Sequence, residues 1–336
     1  SLWGNQLSGP LPSNLSSCRS LQKLYLSNNA LSGQIPEGIG MLPLIQVLDL
    51  TGNHFTGNIP STLFNVSSLW MISLWGNQLS GPLPSNLSSC RSLQKLYLSN
   101  NALSGQIPEG MGMLPLIQVL DLTGNHLTGS IPLAIFNMSS LQIMRLGDND
   151  LTGNLPDNLC NGIKSIKEIN LPNNYLTGKI PLNLASCRYL QVLVLGHNNL
   201  TGKIPENIGE LSMLEELYLY SNQLTGNIPS NLSNCRRLQI LALSSNVLSG
   251  QIPEGIGRLS FIQGLDLGRN HLTGSIPLDI FNISSLQIMW LGNNKLTGSL
   301  PNNLCNGIKS ITEISLPNNY LTGEIPVNLA SCKNLQ

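Results

Sequence analysis

The sequence predicts an α/β repeat solenoid: a right-handed superhelix with a parallel concave β-sheet, short second β-strands and convex 3₁₀ turns. Three observations lead there. A unit such as LQKLYLSNNALSGQIPEGIGMLPL, residues 21–44, recurs along the whole chain. An asparagine stands at one fixed place in every unit. No unit of that size can bury its own leucines, so neighbouring units must stack to make a core.

Within the unit each element follows from local chemistry. Leu24 and Leu26 alternate with Lys23, Tyr25 and Ser27, so a short strand puts its leucines inward and the others outward. Asn29 comes two residues before Leu31, where the strand ends and the chain turns, and its amide can bond backbone groups that the turn leaves unpaired. Leu31-Ser32-Gly33-Gln34-Ile35-Pro36 reads as a second extended piece in which Gly33 permits a tight backbone and Pro36 stops any ladder. Ile39, Leu42 and Ile45 then recur every third residue, which is 3₁₀ spacing.

Equivalent asparagines are Asn5, Asn29, Asn53, Asn77, Asn101, Asn125, Asn149, Asn174, Asn198, Asn222, Asn246, Asn270, Asn294 and Asn319. They mark about 14 repeats of 24–25 residues in a single expected domain, 1–336. In the two longer repeats Leu159 and Ile163, and Leu304 and Ile308, are four apart, which predicts a 3₁₀ turn widened toward an α-turn. Caps are expected to be missing at both ends, so the chain reads as a fragment of a longer array.

A second periodicity lies above the first. Residues 1–55 recur at 73–127 with changes only at Ile39/Met111 and Phe55/Leu127, and the segment from about Asn77 to Gln191 recurs, less faithfully, from Asn222 to Gln336. Sites are therefore expected where the copies differ.

The formal net charge is zero and only 10% of residues are charged, so no basic field exists to hold nucleic acid or an anionic membrane. Apolar runs such as Met41 to Leu50 are too short to span a bilayer, so no direct membrane insertion is expected within this segment. Catalytic constellations are absent. His54, His126 and His271 share one turn position, but the nearest two are three repeats apart, roughly 14 Å at strand spacing. That is too far to share a metal whose nitrogen ligands lie near 2.1 Å. No metal site, cofactor or enzyme activity is expected.

The consensus LxxLxLxxNxLSGxIP resembles the plant-specific class of extracellular leucine-rich repeat. It is similar to the ectodomains of receptor-like kinases, receptor-like proteins and polygalacturonase-inhibiting proteins, and IPLDIFNISSLQIM, residues 276–289, looks most like the receptor-kinase branch that senses microbial proteins. The resemblance implies a non-catalytic recognition domain that binds a peptide or protein ligand in plant signalling or immunity, with a co-receptor engaged near the C-terminal end. Two alternatives stand beside it: an inhibitor of secreted cell-wall-degrading enzymes, and a fibre that self-associates through uncapped ends.

Sequons at Asn14, Asn65, Asn86, Asn137, Asn199, Asn231 and Asn282 point to the secretory pathway and an extracellular or cell-surface location. Of seven cysteines, Cys18, Cys90, Cys187, Cys235 and Cys332 occupy a position that is apolar elsewhere and read as small buried residues. Cys160 and Cys305 each precede another cysteine by 27 positions, so Cys160–Cys187 and Cys305–Cys332 bridges are conceivable and left open. Free strand positions supply the binding candidates. Arg145, Asp148, His197, Glu216, Tyr218, Tyr220, Asp266, Arg269 and Trp290 are the aromatic, arginine and acidic types that dominate interfaces.

Overall fold

A computed structural model of the chain describes residues 1–85, 87 and 89–336, and it divides into two compact units. The first comprises Ser1–Gly153 with Asn161–Tyr175, and the second Asn154–Cys160 with Leu176–Gln336. Each is built of the same repeat.

In the first unit the strands Lys23–Tyr25, Val47–Asp49, Met71–Ser73, Lys95–Tyr97, Val119–Asp121, Ile143–Arg145 and Glu168–Asn170 pair in parallel, in chain order. The register is one repeat per strand, so Tyr25, Asp49, Ser73, Tyr97, Asp121, Arg145 and Asn170 form one outward row. Leu24's successors Leu48, Leu96 and Leu120 point the other way and are fully buried. Each such side chain is worth roughly 1.5–3 kcal/mol of burial. The second extended pieces, from Ser8–Gly9 and Ala30–Gln34 to Asp150–Thr152, make a second parallel sheet.

The second unit repeats the plan with Val192–Val194, Glu216–Tyr218, Ile240–Ala242, Gly264–Asp266, Ile288–Trp290 and Glu313–Ser315. Its outward row is Val194, Tyr218, Ala242, Asp266, Trp290 and Ser315. The return path in most repeats is a five-residue 3₁₀ segment such as Glu37–Met41 or Ser230–Asn234, begun by a proline whose carbonyl accepts the first bond, as Pro36 does from the Ile39 N–H.

The repeated asparagines act as straps. Asn53 is 4% exposed; its amide donates to the carbonyls of Leu26, Leu50 and Thr51 at 3.0–3.2 Å, and its oxygen accepts the Leu31 N–H at 3.0 Å. A buried backbone group that would otherwise lack a partner is thereby satisfied, repeat after repeat.

Two expectations change. In the longer repeats the 3₁₀ segment shortens to Leu159–Asn161 and Leu304–Asn306, and Gly307 follows in the α conformation. The extra length is absorbed beside Gly162 and Gly307, where a Cβ would meet the backbone oxygens of Phe136 and Phe281 at 2.2 and 2.1 Å, so only glycine fits. The cysteine reading also needs correction: Cys187 and Cys332 are not spare apolar residues but are bridged to Cys160 and Cys305, with Cα atoms 5.2 and 5.1 Å apart. Cys90 and Cys235 are buried free thiols as expected, whereas Cys18 is exposed.

Candidate functional site

The outward face of the second unit gathers most of the sequence-derived candidates. Tyr218 closes the strand Glu216–Tyr218, and Tyr220 follows on the same side. Their rings meet edge-on with centroids 6.3 Å apart, and the Tyr220 ring meets His197 edge-on at 5.1 Å. Tyr220 has room to lie there because residue 196 is glycine; a Cβ on Gly196 would stand 2.7 Å from the tyrosine ring. Burial raises the Tyr218 phenol above its usual pKa, and the Glu216 carboxylate raises it further, so the phenol stays protonated and able to donate.

Asp266 is seated in the next part of the same row. Its carboxylate accepts the Gly268 N–H at 3.1 Å and the Ser244 hydroxyl at 2.5 Å. Burial raises its pKa, opposed by those two hydrogen bonds and by Arg269. Trp290, 39% exposed, stands beside Asp266 in register, and the small Ala242 separates Asp266 from Tyr218. The result is an aromatic face with two carboxylates set into it.

Not every candidate sits on a strand. Asp148, His197 and Arg269 occupy the residue just before a strap asparagine, and there the backbone is left-handed, with φ of 52°, 52° and 51°. Asp148 also accepts a 2.7 Å bond from the Asn173 amide. Arg145, in the first unit, is held by Glu168 through two parallel bonds of 2.7 Å, Nε to Oε1 and Nη2 to Oε2. Its fork is already occupied within the protein.

A second feature, in the first unit, was not singled out from sequence. Thr51, Ser73, Trp75, Tyr97, Ser99 and Asp121 line a shallow hollow on the outward face. Thr51 and Ser73 share a hydroxyl–hydroxyl bond of 2.6 Å, and Asp121, 9% exposed, accepts the Thr123 N–H at 3.1 Å. Burial raises the Tyr97 phenol; Arg145 lowers it and Asp121 raises it. The signal that could have found the hollow is parallel register, which sets Ser73, Tyr97 and Asp121 side by side with Trp75 two residues along.

Six of the seven sequon asparagines, Asn14, Asn65, Asn137, Asn199, Asn231 and Asn282, are exposed; Asn86 lies outside the described residues. Among the described residues no helix is long and apolar enough to cross a membrane.

The leucine-rich-repeat profile matches residues 20–42, 44–66, 140–161, 165–187, 189–211, 213–235, 237–259 and 285–306, with a second leucine-rich-repeat profile at 67–127. Among curated protein sequences none matches the chain. Among solved structures the chain is similar to the Arabidopsis receptor kinase HAESA in complex with the peptide hormone IDA and the co-receptor SERK1. The TM-score is 0.93 at 34% identity, over 99% of this chain and 56% of that one. It is also similar to the plant peptide hormone receptor RGFR1 in complex with RGF2, with a TM-score of 0.89 at 33% identity over 99% of this chain and 61% of that one. A Leptospira interrogans leucine-rich-repeat protein matches at TM-score 0.80 and 29% identity, over 99% of this chain and 81% of that one. The chain thus spans a little over half the length of the two plant receptors.

Proposed function

Since the chain belongs to the leucine-rich-repeat family, in its plant extracellular form, we propose that it is a non-catalytic recognition domain that binds a peptide or protein ligand across the outward strand face. In this reading it is part of a receptor-like kinase or receptor-like protein ectodomain in plant signalling or immunity, made in the secretory pathway and working with a co-receptor. The observation that carries the reading is the Tyr218–Tyr220–His197 cluster with Trp290. The two tyrosines and His197 are ordered edge-on against one another on the face opposite the leucine core, and Trp290 stands further along the same row. Rigid aromatics of this kind supply contact area at low entropic cost.

Support for the extracellular setting comes from two disulfides and six exposed sequons, both suited to an oxidising, glycosylating compartment. The neighbours point the same way, since HAESA and RGFR1 are both seen with peptide hormones. Glu216, Asp266 and Arg269 would supply the polar rim of the contact in the second unit; in the first unit, Asp148 would offer a carboxylate and Arg145 would act through its pair with Glu168 rather than as a free clamp.

The test is selection of binders from a displayed random-peptide library on the glycosylated protein, followed by Tyr218→Ala and Trp290→Ala. Selected peptides are expected to lose at least tenfold in affinity for each variant at unchanged melting temperature. Peptides that bind both variants as tightly as the parent would sink the assignment of this face.

A further inference from the structure

The hollow lined by Trp75, Tyr97 and Asp121 has a defined chemistry. Trp75 is 44% exposed and Tyr97 half-buried, so two aromatic rings border it. Ser73 and Ser99, both buried, line it too, and among the described residues its one charged lining residue is Asp121. Arg145 neighbours Asp121 in register and its charge is felt there, but its guanidinium hydrogen-bonds to Glu168 and leaves Asp121 without that bond. Among the described residues, the sole hydrogen bond to the Asp121 carboxylate comes from the Thr123 N–H on one oxygen.

Comparison with the related repeat makes that spare oxygen informative. Asp266 is the counterpart of Asp121 in the later copy, and there Ser244 donates to the second oxygen. Ser99 is the counterpart of Ser244, yet it makes no such bond to Asp121. A carboxylate with spare acceptor capacity, in a hollow bordered by two aromatic rings, favours a cation with N–H donors.

The lining residues of the hollow, Thr51 apart, recur within the same unit. Ser1, Trp3, Tyr25, Ser27 and Asp49 repeat Ser73, Trp75, Tyr97, Ser99 and Asp121 at a shift of 72 positions. The backbone pairing matches: Leu2 N–H to Tyr25 O and Leu74 N–H to Tyr97 O are both 2.8 Å. Asp49 accepts the Thr51 N–H at 3.1 Å, as Asp121 does from Thr123.

We propose that Trp75, Tyr97 and Asp121 form a subsite for an arginine or lysine side chain of a peptide ligand, and that Trp3, Tyr25 and Asp49 form a second copy of it. Three repeats at strand spacing separate the two by about 14 Å, the reach of roughly four residues of extended peptide. The ligand therefore carries basic residues four positions apart in an extended stretch. This inference rests on the chain being a peptide-binding domain.

The probe is the synthetic peptide Ac-GRSGSRG-NH2, with a neutral version in which citrulline replaces both arginines and a third version with the arginines adjacent. Binding is read from the tryptophan indole N–H signals by NMR and from calorimetric affinity. The spaced peptide is expected to shift the Trp3 and Trp75 indoles and to bind at least tenfold more tightly than the citrulline peptide and several-fold more tightly than the adjacent one. Asp121→Asn, which keeps the acceptor for Thr123, should lower the affinity about tenfold without changing the melting temperature. Adding Asp49→Asn should abolish the preference for spacing. Equal binding of the arginine and citrulline peptides, unshifted indoles, or an Asp121→Asn variant that binds like the parent would overturn the subsite. A selected ligand that depends on Tyr218 and Trp290 but ignores Asp121 would overturn the subsite alone. A spaced-arginine peptide that obeys Asp121, with no ligand dependent on Tyr218 or Trp290, would instead overturn the assignment of the second unit's face.

Discussion

Replacing one strap asparagine separates the strap's donor role from its acceptor role. Asn125, 5% exposed, donates to Leu98 O at 3.1 Å, Leu122 O at 2.9 Å and Thr123 O at 3.3 Å, and accepts from Leu103 N–H at 3.0 Å. All three carbonyls have a second donor: Asn101 for Leu98, Asn149 for Leu122 and the Asn100 N–H for Thr123. Asn125→Ala therefore strands only the Leu103 N–H. An orphaned buried donor costs about 1–3 kcal/mol, and with the lost amide bonds the total comes to about 2–4 kcal/mol. Asn125→Asp keeps the acceptor for Leu103 but turns a carboxylate toward three carbonyl oxygens, so it should cost more than alanine at pH 7. Its folded pKa would lie above the unfolded value of about 3.9. Stability relative to pH 7 is then regained as the pH falls through that raised value and lost again as the pH rises. Urea denaturation at pH 4 and pH 7, with hydrogen exchange at the Leu103 amide, reads both effects. An alanine variant within about 0.5 kcal/mol of the parent, or an aspartate variant at pH 7 as stable as alanine, would refute the strap argument.

The disulfides, the free thiols and the left-handed turn residues can each be tested as well. Opening the Cys160–Cys187 bridge, which closes a 27-residue separation, should cost about 3 kcal/mol through the freed chain, so the paired Cys160→Ser/Cys187→Ser change should lower the melting temperature, and dithiothreitol, which also opens Cys305–Cys332, should lower it further. Iodoacetamide at pH 8 should label Cys18 in the folded protein but not Cys90 or Cys235, whose thiols burial pushes up to about 11; mass spectrometry before and after unfolding reads this. Arg269→Gly should stabilise the fold by about 0.5–1 kcal/mol, because φ of 51° suits glycine better than a residue with a Cβ, and thermal melts would show it.

Most of the repeat was legible because its constraints are local and recur. A leucine alternation, a strap asparagine and a three-residue apolar spacing each state one element, and every further repeat restates it. The left-handed residue before each strap was also written in the sequence, since Asn28, Gly52, Gly76, Asn100 and Gly124 all stand there and all tolerate positive φ. Counting Asp148, His197 and Arg269 with the strand face overlooked that company. Pairing of Cys160 with Cys187 was not legible, because spacing leaves undetermined whether two sulfurs in neighbouring repeats face each other. Capture of Arg145 by Glu168 was hidden for a related reason: the partner lies diagonally across the strands, 23 residues away in sequence, where alternation alone gives no hint.

The block copies separate what the scaffold needs from what its surface is free to do. Between the two later-related blocks the inward residues coincide: Leu96 with Leu241, Leu98 with Leu243, Leu120 with Leu265 and Met144 with Met289. Each is fully buried, where a changed volume would cost core packing. Their outward neighbours diverge at Lys95/Ile240, Tyr97/Ala242, Val119/Gly264 and Arg145/Trp290. Replacing Tyr97 by alanine and Arg145 by tryptophan turns a shallow aromatic hollow beside an ion pair into an open aromatic face, while Asp121 and Asp266 keep one carboxylate at the same place in both. One repeat plan thus carries two surfaces of different chemistry around a shared acidic anchor: a hollow with a carboxylate and two aromatic rings in the first unit, and an open row with Asp266 beside Trp290 in the second.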